Sequence, residues 1–250
     1  MTELKPVNTP TAMTVAPLTN VRLCMSALTR IMERDEHLPG IAAMYGPPGY
    51  GKSMSATFAA NSLRCYYIEC RSSWTKKAVL ISILREMGIE PAKNIYEMTE
   101  QVSEQLMLSQ RPLIVDEFDH IVDKKAVEII RDIYEGSQSP ILLLGEERMP
   151  AKLERWERFH SRIMEFVPAQ PVSMEDAKAL VQLYSPGTDF KTDLLKKLVT
   201  ISRGSVRRLC VNISRIRRFA ESEGLDSVDA STWGSRELYT GRAPTRRIVA

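Results

Sequence analysis

No apolar run in the 250-residue chain approaches the roughly 20 residues that a membrane-spanning helix needs, so an integral membrane protein is not expected. Residues 1–17 hold three prolines and lack the basic-then-apolar layout of a secretory leader, which predicts a cytoplasmic location. Cysteine is scarce. Cys24, Cys65, Cys70 and Cys210 form no CxxC pair and have no histidine at zinc spacing. That excludes a disulfide framework and a zinc centre, and leaves small core thiols in a reducing compartment. Aromatic residues are only 7%, but 44% hydrophobic residues exclude wholesale disorder, and 12 Gly with 14 Pro exclude a collagenous or low-complexity chain. Net charge is small as well: 34 basic against 31 acidic residues gives +3. The total does not announce a nucleic-acid partner, so the distribution of charge has to be read instead.

What is present is an alternation. Val21, Met25, Leu28 and Met32 recur at helical spacing after a start signal at Thr19-Asn20. Short apolar runs follow at Ile41–Tyr45, Cys65–Cys70, Leu113–Val115, Ile141–Leu144 and Met164–Val167. Helical patterns at 52–62, 75–87, 97–109 and 124–135 separate them, which predicts an α/β fold with a parallel sheet covered on both faces. Beyond about residue 168 no run reads as a strand. Segments 173–184, 191–202, 204–222 and 227–238 read as helices, with Ser173 and Asp189 or Thr192 as N-caps. The expected organisation is an arm (1–18), an α/β domain (19–168), a small all-helical domain (169–240) and a basic tail (241–250).

The strongest local signal is Gly46-Pro47-Pro48-Gly49-Tyr50-Gly51-Lys52-Ser53, followed by Met54 at the helix start. It fits G-x-x-x-x-G-K-[ST] between an expected strand and an expected helix, the phosphate-binding P-loop arrangement. Glycines let backbone N–H groups converge on phosphate oxygens, and the helix N-terminus adds partial positive charge. Lys52 would reach the β- and γ-phosphates, and the Ser53 hydroxyl would join a Mg²⁺ shell. ATP and Mg²⁺ are the expected cofactors.

About 60 residues on, Leu113-Ile114-Val115 ends in Asp116-Glu117. A strand ending in Asp offers a carboxylate to the magnesium shell, and the next Glu can polarise a water as general base. A small-molecule kinase needs no such second carboxylate, so the pair favours hydrolysis. Glu146, after the run Ile141–Leu144, is placed either to orient that water or simply in an acidic loop. Arg158 and Arg162 could reach the γ-phosphate of a neighbouring molecule, or could lie on the surface paired with Glu154 or Glu157. Arg207 opens a helix of the small domain and could swing onto bound phosphates.

In this order, Gly46–Ser53, Asp116-Glu117, Ser161-Arg162-Ile163 and Gly204–Arg207 resemble an AAA+ ATPase with a helical lid. The stretch Asp116-Glu117-Phe118-Asp119-His120, Ile130-Arg131-Asp132-Ile133-Tyr134, Leu144-Gly145 and Arg158–Ile163 is similar to one branch, the DNA-transposition ATPases of the phage Mu B type. The resemblance implies that Lys52 and Ser53 contact nucleotide and magnesium, that Asp116 and Glu117 are the metal and water-activating pair, that Arg162 is the arginine finger with Arg158 next, and that Arg207 is the lid arginine. It also implies a ring or helical homo-oligomer on double-stranded DNA, a transposase partner, no membrane and, for a phage-encoded protein, the bacterial host cytoplasm. Two departures stand out. Glu146 occupies a position where the family commonly has Asn, and residues 1–20 are too few for the helix-turn-helix domain of the phage relative.

Three basic groups are candidates for DNA phosphates. Arg71, Lys76 and Lys77 flank Trp74, and Lys124 and Lys125 follow Asp116-Glu117. Residues 203–218 hold six arginines and no acid, with Arg208, Arg215 and Arg218 on one expected helix face. No base-reading element is visible, so binding is expected to be indifferent to sequence. A helicase loader would share every motif, a P-loop kinase would be a monomer with an acceptor pocket, and a nucleotide-gated module would bind ATP with little turnover.

Overall fold

The computed structural model describes residues 16–122, 124 and 126–243. A first helix, α1 (Thr19–Met32), leads into β1 (Ile41–Tyr45), α2 (Lys52–Leu63), β2 (Tyr66–Glu69), α3 (Lys76–Glu86), α4 (Ile95–Ser109) and β3 (Leu113–Asp116). Then come α5 (Asp119–Val122), α6 (Val127–Ser137), β4 (Ile141–Gly145), α7 (Met149–Leu153), α8 (Glu157–His160) and β5 (Ile163–Pro168). The strands pair in the order β2-β3-β4-β1-β5, and every pairing is parallel.

Side-chain alternation explains the layers, because successive strand residues face opposite sides. Ile41, Ala43, Leu113, Val115, Ile141 and Leu143 share one core with Leu80, Ile83 and Leu84 of α3, Met98 and Leu106 of α4, and Ile130 and Ile133 of α6. Ala42, Met44, Ile114, Leu142 and Leu144 face the other way, against Cys24 and Leu28 of α1 and Ala56 and Ala59 of α2. A sheet buried on both faces reads as continuous apolar runs, which is why four-residue stretches sufficed to locate the strands.

The C-terminal region is built from α9 (Met174–Tyr184), α10 (Thr192–Ser202) and α11 (Val206–Glu223), and has its own core of Leu180, Leu194, Leu198, Leu209, Ile213 and Ile216. Ser173 caps α9 in a capping box with Asp176, as its position suggested. Three details depart from the expectation. A small parallel pair, β6 (Asp189–Phe190) with β7 (Ser227–Val228), interrupts the helices and buries Phe190 and Val228. Asp189 therefore lies in a strand, and α10 begins after Lys191 without a side-chain cap.

The helix expected at 227–238 shrinks to α12 (Ala230–Trp233). Asp229 caps it by accepting the Thr232 N–H at 2.6 Å, and Gly234 at φ 63° ends it. The chain beyond lies along α11, where Asn212 and Tyr239 exchange side-chain and backbone hydrogen bonds at 3.0 and 2.7 Å. The helix expected at 124–135 also starts later, at Val127, because residues 119–122 form their own turn of helix. Residues 1–15 of the expected arm and 244–250 of the tail lie outside the described residues. Among those described, no helix is long and apolar enough to cross a membrane.

Candidate functional site

The C-terminal ends of β1, β3 and β4 open on one edge of the sheet, and β1 lies between β4 and β5, a place where parallel α/β sheets form crevices. The chain leaves β1 through Gly46–Gly51 and enters α2 at Lys52. Gly49 sits at φ 84°, and a Cβ there would lie 2.6 Å from the Ser205 hydroxyl. Both conformation and space demand glycine. Lys52 folds its ammonium back over the loop, donating to the carbonyls of Gly46 at 2.7 Å and Pro47 at 3.1 Å. Burial lowers its pKa, and Glu117 and Asp116 oppose that shift.

At the end of β3, Asp116 is 2% exposed yet has a donor on each oxygen. Tyr67 donates its hydroxyl to Oδ2 at 2.9 Å, and the Glu117 N–H donates to Oδ1 at 2.7 Å. The second bond holds Glu117 at φ 52°, a left-handed conformation that turns its side chain out of the strand line. Burial raises the Glu117 pKa, the Asp116 charge adds to this, and His120 and Lys52 work against it. A carboxylate so placed is a stronger base than an exposed glutamate. Glu146 follows β4 directly, exposed on the same cavity, with its backbone N–H held by Asp119 Oδ2 at 2.5 Å. Asp119 is itself buried and paired with Lys152 at 3.3 Å.

The C-terminal region closes the crevice. Arg207 donates its backbone N–H to the Gly49 carbonyl at 3.3 Å, and its side chain is exposed at the cavity wall. The enclosed space is about 420 Å³. Its lining includes Pro48, Gly49, Lys52, Ser53, Asp116, Glu117 and Glu146, together with the apolar Leu18, Val21 and Leu180 and the Tyr184 ring. Gly46, Pro47 and Tyr50 complete the loop, with Tyr50 tucked against Gly204. The structure thus brings together Gly46–Met54, Asp116, Glu117, Glu146 and Arg207.

Among the described residues, no group of three or more His, Cys, Asp or Glu could hold a metal ion by itself. The Ser53 hydroxyl and one buried carboxylate suit Mg²⁺ nonetheless, since that ion keeps several waters and draws further oxygens from phosphates.

Arg158 and Arg162 are not part of this cavity. Arg162 pairs with Glu135 of α6 at 2.5 Å, rather than with Glu154 or Glu157, and both partners are about 41% exposed. Arg158 is exposed and has no ion pair among the described residues.

Two basic groups that were separate in sequence meet in space. Lys124 donates to the carbonyls of Ser72 and Trp74, which places it beside Arg71 and Lys76, both exposed. Lys77 turns aside to the Lys93 carbonyl at 3.0 Å, and Lys125 lies outside the described residues. On α11, Arg215 and Arg218 are exposed, Arg208 is half-buried where the segment carrying Gly241 crosses it, and the Arg215 guanidinium lies 5.4 Å from the Tyr239 ring.

Three residues that brace the crevice were not among the expected site residues. Buried Asn20 donates to the Tyr50 and Gln170 carbonyls, each at 2.8 Å, and accepts the Gln170 N–H at 2.8 Å. Tyr67 and Asp119 support the two strand tips. The last of these stands in the Asp-Glu-Phe-Asp run, where a second acid three residues after Asp116 was a usable cue.

Residues 34–153 match the family model described as the AAA domain. No curated protein sequence matches the chain. Among solved structures, Cdc6p from Pyrobaculum aerophilum is similar with a TM-score of 0.64 at 14% identity, over 88% of this chain and 66% of that one. The Aeropyrum pernix Orc1 protein in complex with DNA gives 0.59 at 18% identity, over 85% and 62%. The Thermotoga maritima RuvB Holliday junction branch migration motor gives 0.57 at 19% identity, over 85% and 66%. The chain spans just under two thirds of the length of these structures. The family match over residues 34–153, just under half of the chain, agrees with the crevice and the sheet: the chain has an AAA+ P-loop fold, a five-stranded parallel sheet with flanking helices followed by a helical C-terminal region.

Proposed function

We propose that the crevice binds ATP with Mg²⁺ and hydrolyses it, and that the ATP-bound protein assembles on double-stranded DNA without sequence preference. The observation that carries this reading is the convergence of Lys52, Ser53, Asp116, Glu117 and Arg207 on one 420 Å³ cavity. Lys52 and the loop N–H groups hold phosphate oxygens, Ser53 and Asp116 hold the magnesium and its waters, and Glu117 takes a proton from the attacking water. Bound Mg²⁺ supplies charge neutralisation at the phosphates. The apolar lining of Leu18, Val21 and Leu180 suits a nucleobase. Arg207, on the C-terminal lid, adds a cation to the bound phosphates.

Arg162, with Arg158 as alternative, completes the site of a neighbouring subunit, which makes hydrolysis depend on assembly. The Arg162–Glu135 pair is exposed and worth about 0–1 kcal/mol, so it does not prevent that exchange. DNA binding is supported by the joined basic surface of Arg71, Lys76 and Lys124 and by the A. pernix neighbour, which is in complex with DNA. A transposase as the partner that uses the bound DNA rests on sequence resemblance alone. A helicase-loading role would use the same site.

The test is a duplex-DNA gel shift at one fixed salt concentration with ATP, ADP and no nucleotide. ATP-dependent, length-dependent binding lost in Lys52→Ala supports the reading. No shift with any nucleotide, together with a monomer in solution, overturns the DNA part and favours a kinase or a gated module.

A further inference from the structure

Tyr67 lies on β2, outside every motif used above, yet among the described residues its hydroxyl is one of two donors to the buried Asp116 carboxylate. The sheet register explains the contact. Tyr67 pairs with Ile114 and Glu69 with Asp116, so Tyr67 and Asp116 are diagonal neighbours on one face of the sheet. A side chain as long as tyrosine spans that diagonal. The Tyr67 ring also packs against the core that holds Ala56, Ala59 and Ala60 of α2, the helix whose first turn carries Ser53. Tyr67 therefore stands between the helix turn that carries Ser53 and the strand tip that carries Asp116.

We infer that Tyr67 is a positioning residue for the metal: it fixes the rotation of the Asp116 carboxylate and its distance from Ser53, so that both face one magnesium ion. This rests on the nucleotide reading of the crevice. Asp116 Oδ1 is committed to the Glu117 turn, so Oδ2 is the oxygen left to set the carboxylate plane, and among the described residues Tyr67 is the one that holds it. A phenylalanine keeps the ring and its packing and removes the one bond. Groups that orient a metal ligand in this way typically change metal affinity about 10–100-fold when removed.

The experiment compares ATP affinity with Mg²⁺ and with EDTA, by titration of a fluorescent ATP analogue, in wild type, Tyr67→Phe, Asp116→Asn and the double variant. The expected result is an unchanged affinity in EDTA and about a 10-fold smaller gain on adding Mg²⁺ for Tyr67→Phe. In the Asp116→Asn background the tyrosine substitution has no further effect on that gain. A Tyr67→Phe protein with the full wild-type gain overturns the inference while leaving the nucleotide site intact. So does an equal loss in EDTA and in Mg²⁺, which marks a general structural role. Wild type that binds no nucleotide at all overturns the underlying reading instead. Thermal melting of each variant verifies that the fold is retained.

Discussion

The backbone N–H of Arg207, at the start of α11, donates to the carbonyl of Gly49 in the loop between β1 and α2. The Gly46–Gly51 loop and the C-terminal helices are thus bonded through main chain, with Ser205 packed on the same glycine. A ligand that reshapes the loop must move the helix with it. The Arg207 side chain, exposed and without a protein partner among the described residues, is then the cation free to follow. Arg207→Ala is expected to weaken ATP binding more than ADP binding, by about 10-fold for a charge-assisted bond. Equal effects on the two nucleotides would remove the γ-phosphate from its role.

Glu117→Gln separates binding from turnover. It keeps size and the left-handed turn but removes the base, so phosphate release should fall about 10²–10⁴-fold with ATP binding retained.

The same residue makes a statement about stability. Its pKa is raised in the folded chain by burial and by Asp116. The stabilising contribution is therefore present below the unfolded-state value of about 4.3 and is lost as pH rises through the higher folded-state value. Glu117→Gln should melt above wild type at neutral pH, with the gap closing below about pH 4. Thermal melts across pH 4–8 decide this, and a gap that widens toward acid contradicts it.

Asn20 bridges the loop at Tyr50 to the entry of the C-terminal region at Gln170, and it is 5% exposed. Asn20→Ala strands two carbonyls and an N–H, which costs about 1–3 kcal/mol for each group left without a partner. Denaturant midpoints measure the loss. A change below about 0.5 kcal/mol would place these groups in contact with water.

The thiols should be quiet. Burial raises Cys24 and Cys70 to about 12, and Cys65 and Cys210 to about 11. Thiolate is the reactive form, so an aromatic disulfide reagent at pH 8 should react slowly with native protein and with all four thiols once it is unfolded. Rapid labelling of native protein would contradict the burial.

What the sequence made legible was local. Gly46–Ser53 and Asp116-Glu117 carry their chemistry in consecutive residues, and the five strands are short apolar runs that a doubly covered sheet makes conspicuous. What it hid depends on topology. Tyr67 meets Asp116 across 49 positions and Thr19 meets Asp176 across 157, contacts that exist only once the strand order is set. The helix expected at 227–238 failed for a related reason. Its apolar residues serve two other surfaces: Val228 is buried in a strand pair with Phe190 of β6, and Leu238 is buried against the α11 core. Periodicity alone could not divide them.

The most direct measurement is ATP binding and phosphate release by wild type, Lys52→Ala and Glu117→Gln, each with Mg²⁺ and with duplex DNA present and absent. The account predicts that wild type binds and hydrolyses ATP, that Glu117→Gln binds but releases little phosphate, and that Lys52→Ala does neither. Wild-type protein that fails to bind ATP, or a Glu117→Gln protein that turns over at the wild-type rate, would contradict it.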